Sequence, residues 1–287
     1  MSALQLLAPR AKDLGGGFMV RRLLPAFGRQ SVGPFVFFDH FGPVRVHPGD
    51  NHDVRPHPHI GLATVTYLFD GAMMHRDSLG YEQRIEPGAI NWMTAGRGIV
   101  HSERRPADLA NVDYDVHGLQ LWAALPQSFE EAEPSFAHTP AAAIPAWKEG
   151  GLSLRLMIGD AFGRRSPVAT YAPTLYLDVD AAPGATFVLP PLADERAVYG
   201  VDRRLTIDGV DVPPFTLAVI PQGETVTIAA PEVGRYVVIG GAPVDGPRFL
   251  WWNFVSSSKA RIEQAKADWT AQRMGRIAGE SEWIPLP

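Results

Sequence analysis

Short runs rich in Val, Ile, Leu, Phe and Tyr, broken every few residues by Gly, Pro or Asp-Gly, set the rhythm of this chain. In the first half the runs at 18–24, 35–38, 62–69, 73–77, 81–85, 89–93, 99–103 and 117–124 read as strands, with Asp70-Gly71 as a hairpin turn. The polar, Pro- and Gly-bearing stretch 44–55 reads as a surface loop, and 126–145 as the connection between halves. From 152 the rhythm resumes, at 152–158, 174–179, 185–189, 196–201, 205–207, 216–220, 225–229 and 235–240. Regular short strands between turn signals predict an all-β protein of the sandwich or barrel kind, with the second half repeating the architecture of the first.

Two segments depart from that rhythm. Residues 259–274 predict the one convincing helix, with Ser256, Ser257 and Ser258 as N-cap candidates and Ile262, Ala265 and Trp269 on one face. The closing Trp283-Ile284-Pro285-Leu286-Pro287 is apolar, and its two prolines bar a helix, so it is expected to lie extended in a groove. Gly15-Gly16-Gly17 predicts a turn; it precedes a strand and so cannot open a phosphate-binding helix.

Composition narrows the function classes. A length of 287 residues favours two domains. With 26 basic and 31 acidic residues, net −5, the chain lacks the basic surplus that a phosphate backbone demands, so direct nucleic-acid binding is not expected. There is no cysteine, which removes disulfides, thiolate nucleophiles and cysteine-held metals and fits a cytoplasmic location. The apolar start has no basic region and stops at Pro9-Arg10, so no secretory leader is read, and Pro and Gly punctuate every stretch long enough to span a membrane.

The chemistry lies between Arg55 and Glu103. His57 and His59 in Arg55-Pro56-His57-Pro58-His59-Ile60-Gly61 share one face of an extended strand, as do His101 and Glu103 further on. An isolated His-x-His is usually a pair of ordinary histidines. The second pair, approached through Gly96 and Gly98 in the same half, turns the reading to a metal site of three imidazoles and one carboxylate. Such a set suits Fe, Mn, Ni, Cu or Zn and suits Ca or Mg poorly; with positions left open, a redox-capable ion is the sharper reading. His40, His75 and His117 read as hydrogen-bonded structural residues, with His75 and His117 also candidates for supporting the pocket. All nine histidines lie at or before His138, so the second half does not repeat the chemistry.

At these residues the chain resembles the pirin family of the cupin superfamily. The resemblance runs through Val20-Arg21-Arg22-Leu23-Leu24-Pro25, the stretches 32–40, 55–61 and 93–103, Gly118-Leu119-Gln120-Leu121-Trp122 and the closing Ile284-Pro285-Leu286-Pro287. An ordinary cupin carries its glutamate where Thr64 stands; here Glu103 supplies the carboxylate, as in pirins. The resemblance implies two tandem cupin-type β-barrels, with domains expected at 1–138 (metal-binding, the tail 280–287 packing back on it) and 139–279 (metal-free, including the helix 258–274). It also implies iron, Fe(II), at His57, His59, His101 and Glu103. Two functions follow as expectations. One is a quercetin 2,3-dioxygenase, in which a flavonol binds the open positions, Glu103 takes its hydroxyl proton, and dioxygen addition opens the ring with release of carbon monoxide. The other is a regulatory protein whose metal acts as a redox or structural switch on a protein partner.

Overall fold

The computed structural model of the chain describes residues 3–14 and 17–287. The expected turn at Gly15-Gly16-Gly17 falls mostly outside them, and only Gly17, with φ +81°, is described.

Two seven-stranded and two four-stranded antiparallel sheets carry the architecture. One seven-stranded sheet runs in the order Ser135–Thr139, Ile90–Thr94, Leu62–Asp70, Tyr114–Ala124, Phe35–Val46, Met19–Leu24, Arg10–Asp13. Its four-stranded companion is ordered Val54–His59, Ile99–Arg104, Met73–Asp77, Glu82–Ile85. Phe41, Leu68 and Val116 from the larger sheet bury against Ile85 from the smaller, which makes the pair a sandwich with a shared core. The other pair repeats this plan. Leu154, Leu156, Leu177, Val179, Val198 and Val238 of its larger sheet pack with Phe187, Leu189, Leu205, Ile207, Val212 and Ile228. Leucine, valine and isoleucine dominate its interior, with Tyr236 among them. The expected all-β class with two cupin-type barrels is the observed one.

The chain divides into compact units differently from a cut at 138/139. Residues 1–10, 21–38 and 142–243 group as one unit, and 11–20, 39–141 and 244–287 as the other. Two expectations are corrected. The strand Gln5–Leu7 pairs with Leu217–Ile220, so the first residues belong with the second barrel. The helix Lys259–Thr270, expected in the C-terminal domain, buries Ile262, Ala265 and Trp269 against Ile60, Val100 and Phe254 on the histidine-bearing barrel. Hydrophobic periodicity reports that an element has an apolar face but not which of two cores receives it.

Three smaller differences have local causes. The stretch 44–55 was expected as loop, but the strand Phe35–Val46 runs on and the next begins at Val54. Gly42 allows this: with φ +76°, and with a Cβ there falling 2.1 Å from the Val116 carbonyl oxygen, only glycine lets the strand bend against its neighbour without stopping. The connection 126–145 contains the edge strand Ser135–Thr139, paired with Ile90–Thr94. The helix begins with Ser258, whose side chain accepts from the Arg261 N–H, as expected, and stops at Thr270 rather than Met274. Gln272 adopts φ +55°, and its N–H bonds Trp269 O while the Arg273 N–H bonds Asp268 O, a Schellman ending that glycine usually makes.

The C-terminal segment is tied down by polar groups as well as by this helix. Buried Glu130 meets Arg248 Nε at 2.7 Å and accepts from the Ser257 N–H and from the hydroxyls of Ser256 and Ser257. Glu280 accepts from Ser102 and Arg104, and the Ile284 N–H donates to Pro56 O at 2.8 Å, so the tail lies extended as the two prolines required.

Two outcomes are expected. Glu130→Ala removes one of the two carboxylates paired with buried Arg248, Asp245 being the other, and strips the acceptor from Ser256 and Ser257; it is expected to lower stability by about 1–3 kcal/mol, read as a shifted urea midpoint. Although burial opposes ionisation of Glu280, hydrogen bonds from Arg104 and Ser102 outweigh it and hold the carboxyl below its ordinary value of 4.5. The tail's attachment is therefore complete above that pH and is lost as pH falls below it; amide exchange across 276–287 should quicken on acidification, and exchange independent of pH (after correction for intrinsic rates) would refute this.

Candidate metal centre

The smaller sheet of the first barrel sets the site by register alone. Antiparallel pairing places His101 opposite His57 and Ile99 opposite His59; on the other side His101 lies opposite Asp77 and Glu103 opposite His75. Directly opposed residues share a face, and alternate residues along a strand do too. His57, His59, His75, Asp77, His101 and Glu103 therefore all project from one side of the sheet.

Three of the four expected ligands meet. The side-chain nitrogens of His57, His59 and His101 lie within 4.8 Å of one another, all three residues are buried, and this is the one such cluster among the described residues. His59 Nε2 and His101 Nε2 are 3.1 Å apart. Two nitrogens each about 2.1 Å from a shared ion stand about 3.0–3.4 Å apart at neighbouring octahedral or tetrahedral positions, so this spacing fits joint ligation. Glu103 falls outside that cluster. Its carboxylate is hydrogen-bonded by Thr66, whose hydroxyl also stands 2.9 Å from Gln120 Oε1.

Backbone carbonyls decide which nitrogens face inward. His57 Nδ1 donates to Arg55 O at 2.9 Å and His59 Nδ1 to Asn253 O at 3.1 Å, which leaves a lone pair on each Nε2. The second of these contacts depends on Gly61. With φ +68°, and with a Cβ there only 1.9 Å from Val255 O, no other residue would let the segment 253–256 approach the first histidine pair so closely. Trp122 closes the other side of His59, ring edge to face at 5.1 Å.

Burial fixes the protonation. It pushes the His57 imidazole down to about 4, against the opposing hydrogen bond to Arg55 O. Burial, then the charge of neighbouring imidazoles, holds His59 and His101 well below the ordinary value of 6.5. The Glu103 carboxyl is pushed up to about 7 by burial, with the Thr66 hydrogen bond opposing. The site thus presents three neutral imidazoles, with His59 Nε2 and His101 Nε2 at 3.1 Å, close enough to share either a proton or a cation. The donor set suits a borderline divalent transition metal.

Of the remaining histidines, His40 and His117 pair with each other, Nε2 to Nε2 at 2.7 Å, away from this cluster. His75 belongs to the site through His101, and Asp77 and the Asn253 carbonyl were not singled out from the sequence. The alternation His75-x-Asp77 carried a signal that Asp77 shares the histidine's face; the role of residue 253 had none, because a backbone carbonyl leaves no trace in sequence.

Comparison with known proteins agrees with this geometry. The pirin family model matches residues 17–123, and the pirin C-terminal cupin domain model matches residues 176–275. A pirin-like protein of Caulobacter vibrioides is 49% identical over 282 residues, 97% of each chain. A Pseudomonas aeruginosa protein named, as a provisional assignment, a quercetin 2,3-dioxygenase is 37% identical over 96% of this chain and 86% of its own. The crystal structure of quercetin 2,3-dioxygenase from Acinetobacter baumannii superposes with a TM-score of 0.92 at 32% identity, covering 99% of this chain and 95% of that one. On these matches, and on a two-barrel fold with its histidine cluster in the first barrel, the chain belongs to the pirin family.

Proposed function

We propose that this protein is a mononuclear dioxygenase of the quercetin 2,3-dioxygenase type, acting on a flavonol with Fe(II) held by His57, His59, His101 and Glu103. The observation that carries this reading is the convergence of three buried imidazoles. The substrate class follows from likeness to the Acinetobacter baumannii enzyme over 99% of the chain.

Bound here, a redox-capable divalent ion supplies Lewis acidity toward the hydroxyl–keto edge of a flavonol and an electron path to dioxygen. The residues of the chain do the rest. Three neutral imidazoles hold the ion without cancelling its charge, which favours an ionised substrate oxygen. Glu103, two residues beyond His101 on the same face, loosens from the ion and takes the proton from the substrate hydroxyl, a role suited to a carboxylate near a cation. Phe18, His52, Met73, Glu103, Arg105 and Tyr114 are among the residues lining a cavity of about 20 Å³, room for about one water molecule. A three-ring substrate enters beside Glu103 only as Met73, Tyr114 and the neighbouring segment 47–53 give way. Arg105 holds that segment by donating to His47 O at 3.3 Å and, through its backbone N–H, to Asp53 Oδ1 at 2.8 Å. Once closed over a substrate, the same wall excludes bulk water.

The test is anaerobic titration of the iron-loaded protein with quercetin, followed by admission of oxygen. A shifted quercetin absorption band and then carbon monoxide are expected; neither appearing would remove the proposal. His57→Ala, His59→Ala and His101→Ala should each weaken divalent-metal binding by more than the roughly 100-fold that loss of an outlying partner costs, measured by chelator competition. Glu103→Gln should lower turnover by roughly 100- to 10,000-fold while the three imidazoles retain the metal.

A further inference from the structure

Behind His101 lies a chain of buried polar groups that leads away from the proposed ion. His101 Nδ1 faces His75 Nδ1 at 3.4 Å, and His75 Nε2 meets Asp77 Oδ2 at 2.9 Å. Asp77 Oδ1 in turn accepts from the N–H groups of Leu79 at 2.9 Å and Tyr81 at 3.1 Å. Asp77 is 1% exposed and His75 5%, so water does not substitute for these contacts. The His75 ring lies flat on Phe136, centroids 4.2 Å apart and planes within 12°, which sets the orientation of both its nitrogens.

Two contacts compete for the single proton of neutral His101: His59 Nε2, 3.1 Å from its Nε2, and His75 Nδ1, 3.4 Å from its Nδ1. Oδ1 of Asp77 is taken by two backbone donors, and Oδ2 accepts the proton on His75 Nε2. His75 Nδ1 then carries a lone pair, which can only accept, so once His101 ligates through Nε2 its proton has an acceptor waiting at Nδ1. That leaves the lone pair of His101 on Nε2, beside His59 Nε2. The tautomer required of His101 as a ligand is thereby favoured from Asp77, two side chains away.

We infer that His75 and Asp77 are positioning residues of the metal centre, acting as a two-residue relay that favours the ligating tautomer and ring orientation of His101. The inference rests on the metal-binding reading of His57, His59 and His101. Asp77→Asn is its sharpest probe. An amide oxygen still accepts from Leu79 and Tyr81, so the turn is kept, but an NH2 group replaces the acceptor facing His75. His75 must then accept through Nε2 and carry its proton on Nδ1, where it opposes the Nδ1 proton of His101 and drives His101 toward the tautomer that cannot ligate through Nε2. His75→Phe keeps the stack on Phe136 and removes the acceptor. His75→Asn restores an acceptor oxygen near the position of Nδ1.

The experiment uses cobalt(II) as the probe, with affinity measured by competition against a chromophoric chelator and the urea midpoint of each metal-free protein measured alongside. Wild type binds tightly, Asp77→Asn and His75→Phe bind roughly 10- to 100-fold more weakly, and His75→Asn recovers most of the loss, in an order unrelated to the midpoints. Variants that bind within about twofold of wild type, or losses that follow the midpoints with no recovery in His75→Asn, would overturn the relay. Failure of folded wild type to bind cobalt(II) would overturn the metal reading itself and the relay with it.

Discussion

The register between Val54–His59 and Ile99–Arg104 is the constraint on which the rest depends. It sets His101 across from His57, and a slip of one residue would turn one partner's side chains to the opposite face. Both faces are buried and unlike, the histidines on one and Val100 under the helix on the other, so a one-residue slip would set polar groups against the helix and apolar ones in the site. The pairing with Met73–Asp77 extends the same logic to the relay, bringing Asp77 across from His101 and His75 across from Glu103. Three adjacent strands thus supply a whole site from alternate positions.

Holding several imidazoles together out of water is unfavourable unless their protons and lone pairs are assigned. The fold assigns them with fixed acceptors: Arg55 O for His57, Asn253 O for His59, and the His75–Asp77 pair for His101. Each acceptor is itself anchored. Asn253 lies in the segment brought close by the small size of Gly61, and the buried Glu130 knot holds the serines that follow it. The second barrel shows the alternative use of the same architecture. Its interior is filled chiefly by leucine, valine and isoleucine and holds no histidine.

The C-terminal 44 residues belong with the histidine-bearing barrel although they follow the whole of the other barrel in sequence. Their contribution is both packing and polarity: Ile262, Ala265 and Trp269 cover Ile60 and Val100, while Glu280 bonds Ser102 and Arg104 on either side of Glu103. The strand that carries two of the proposed ligands is thereby braced from its outer face by a distant part of the chain.

Much of this was legible beforehand, for a physical reason. Strands alternate with a period of two, so His57 with His59 and His101 with Glu103 could be assigned to common faces without coordinates. Proline and glycine act through local dihedral angles, so the turns, the extended tail and the β class could be read residue by residue. The partnership of elements was a different matter. That Gln5–Leu7 joins the second barrel, that the helix covers the first, and that the carbonyl of residue 253 orients His59 are outcomes of long-range packing, where many similar apolar faces compete and backbone atoms are chemically alike at every position. Local pattern determined what each segment could become; only the assembled sheets decided which segments meet, and so which tautomer each histidine holds.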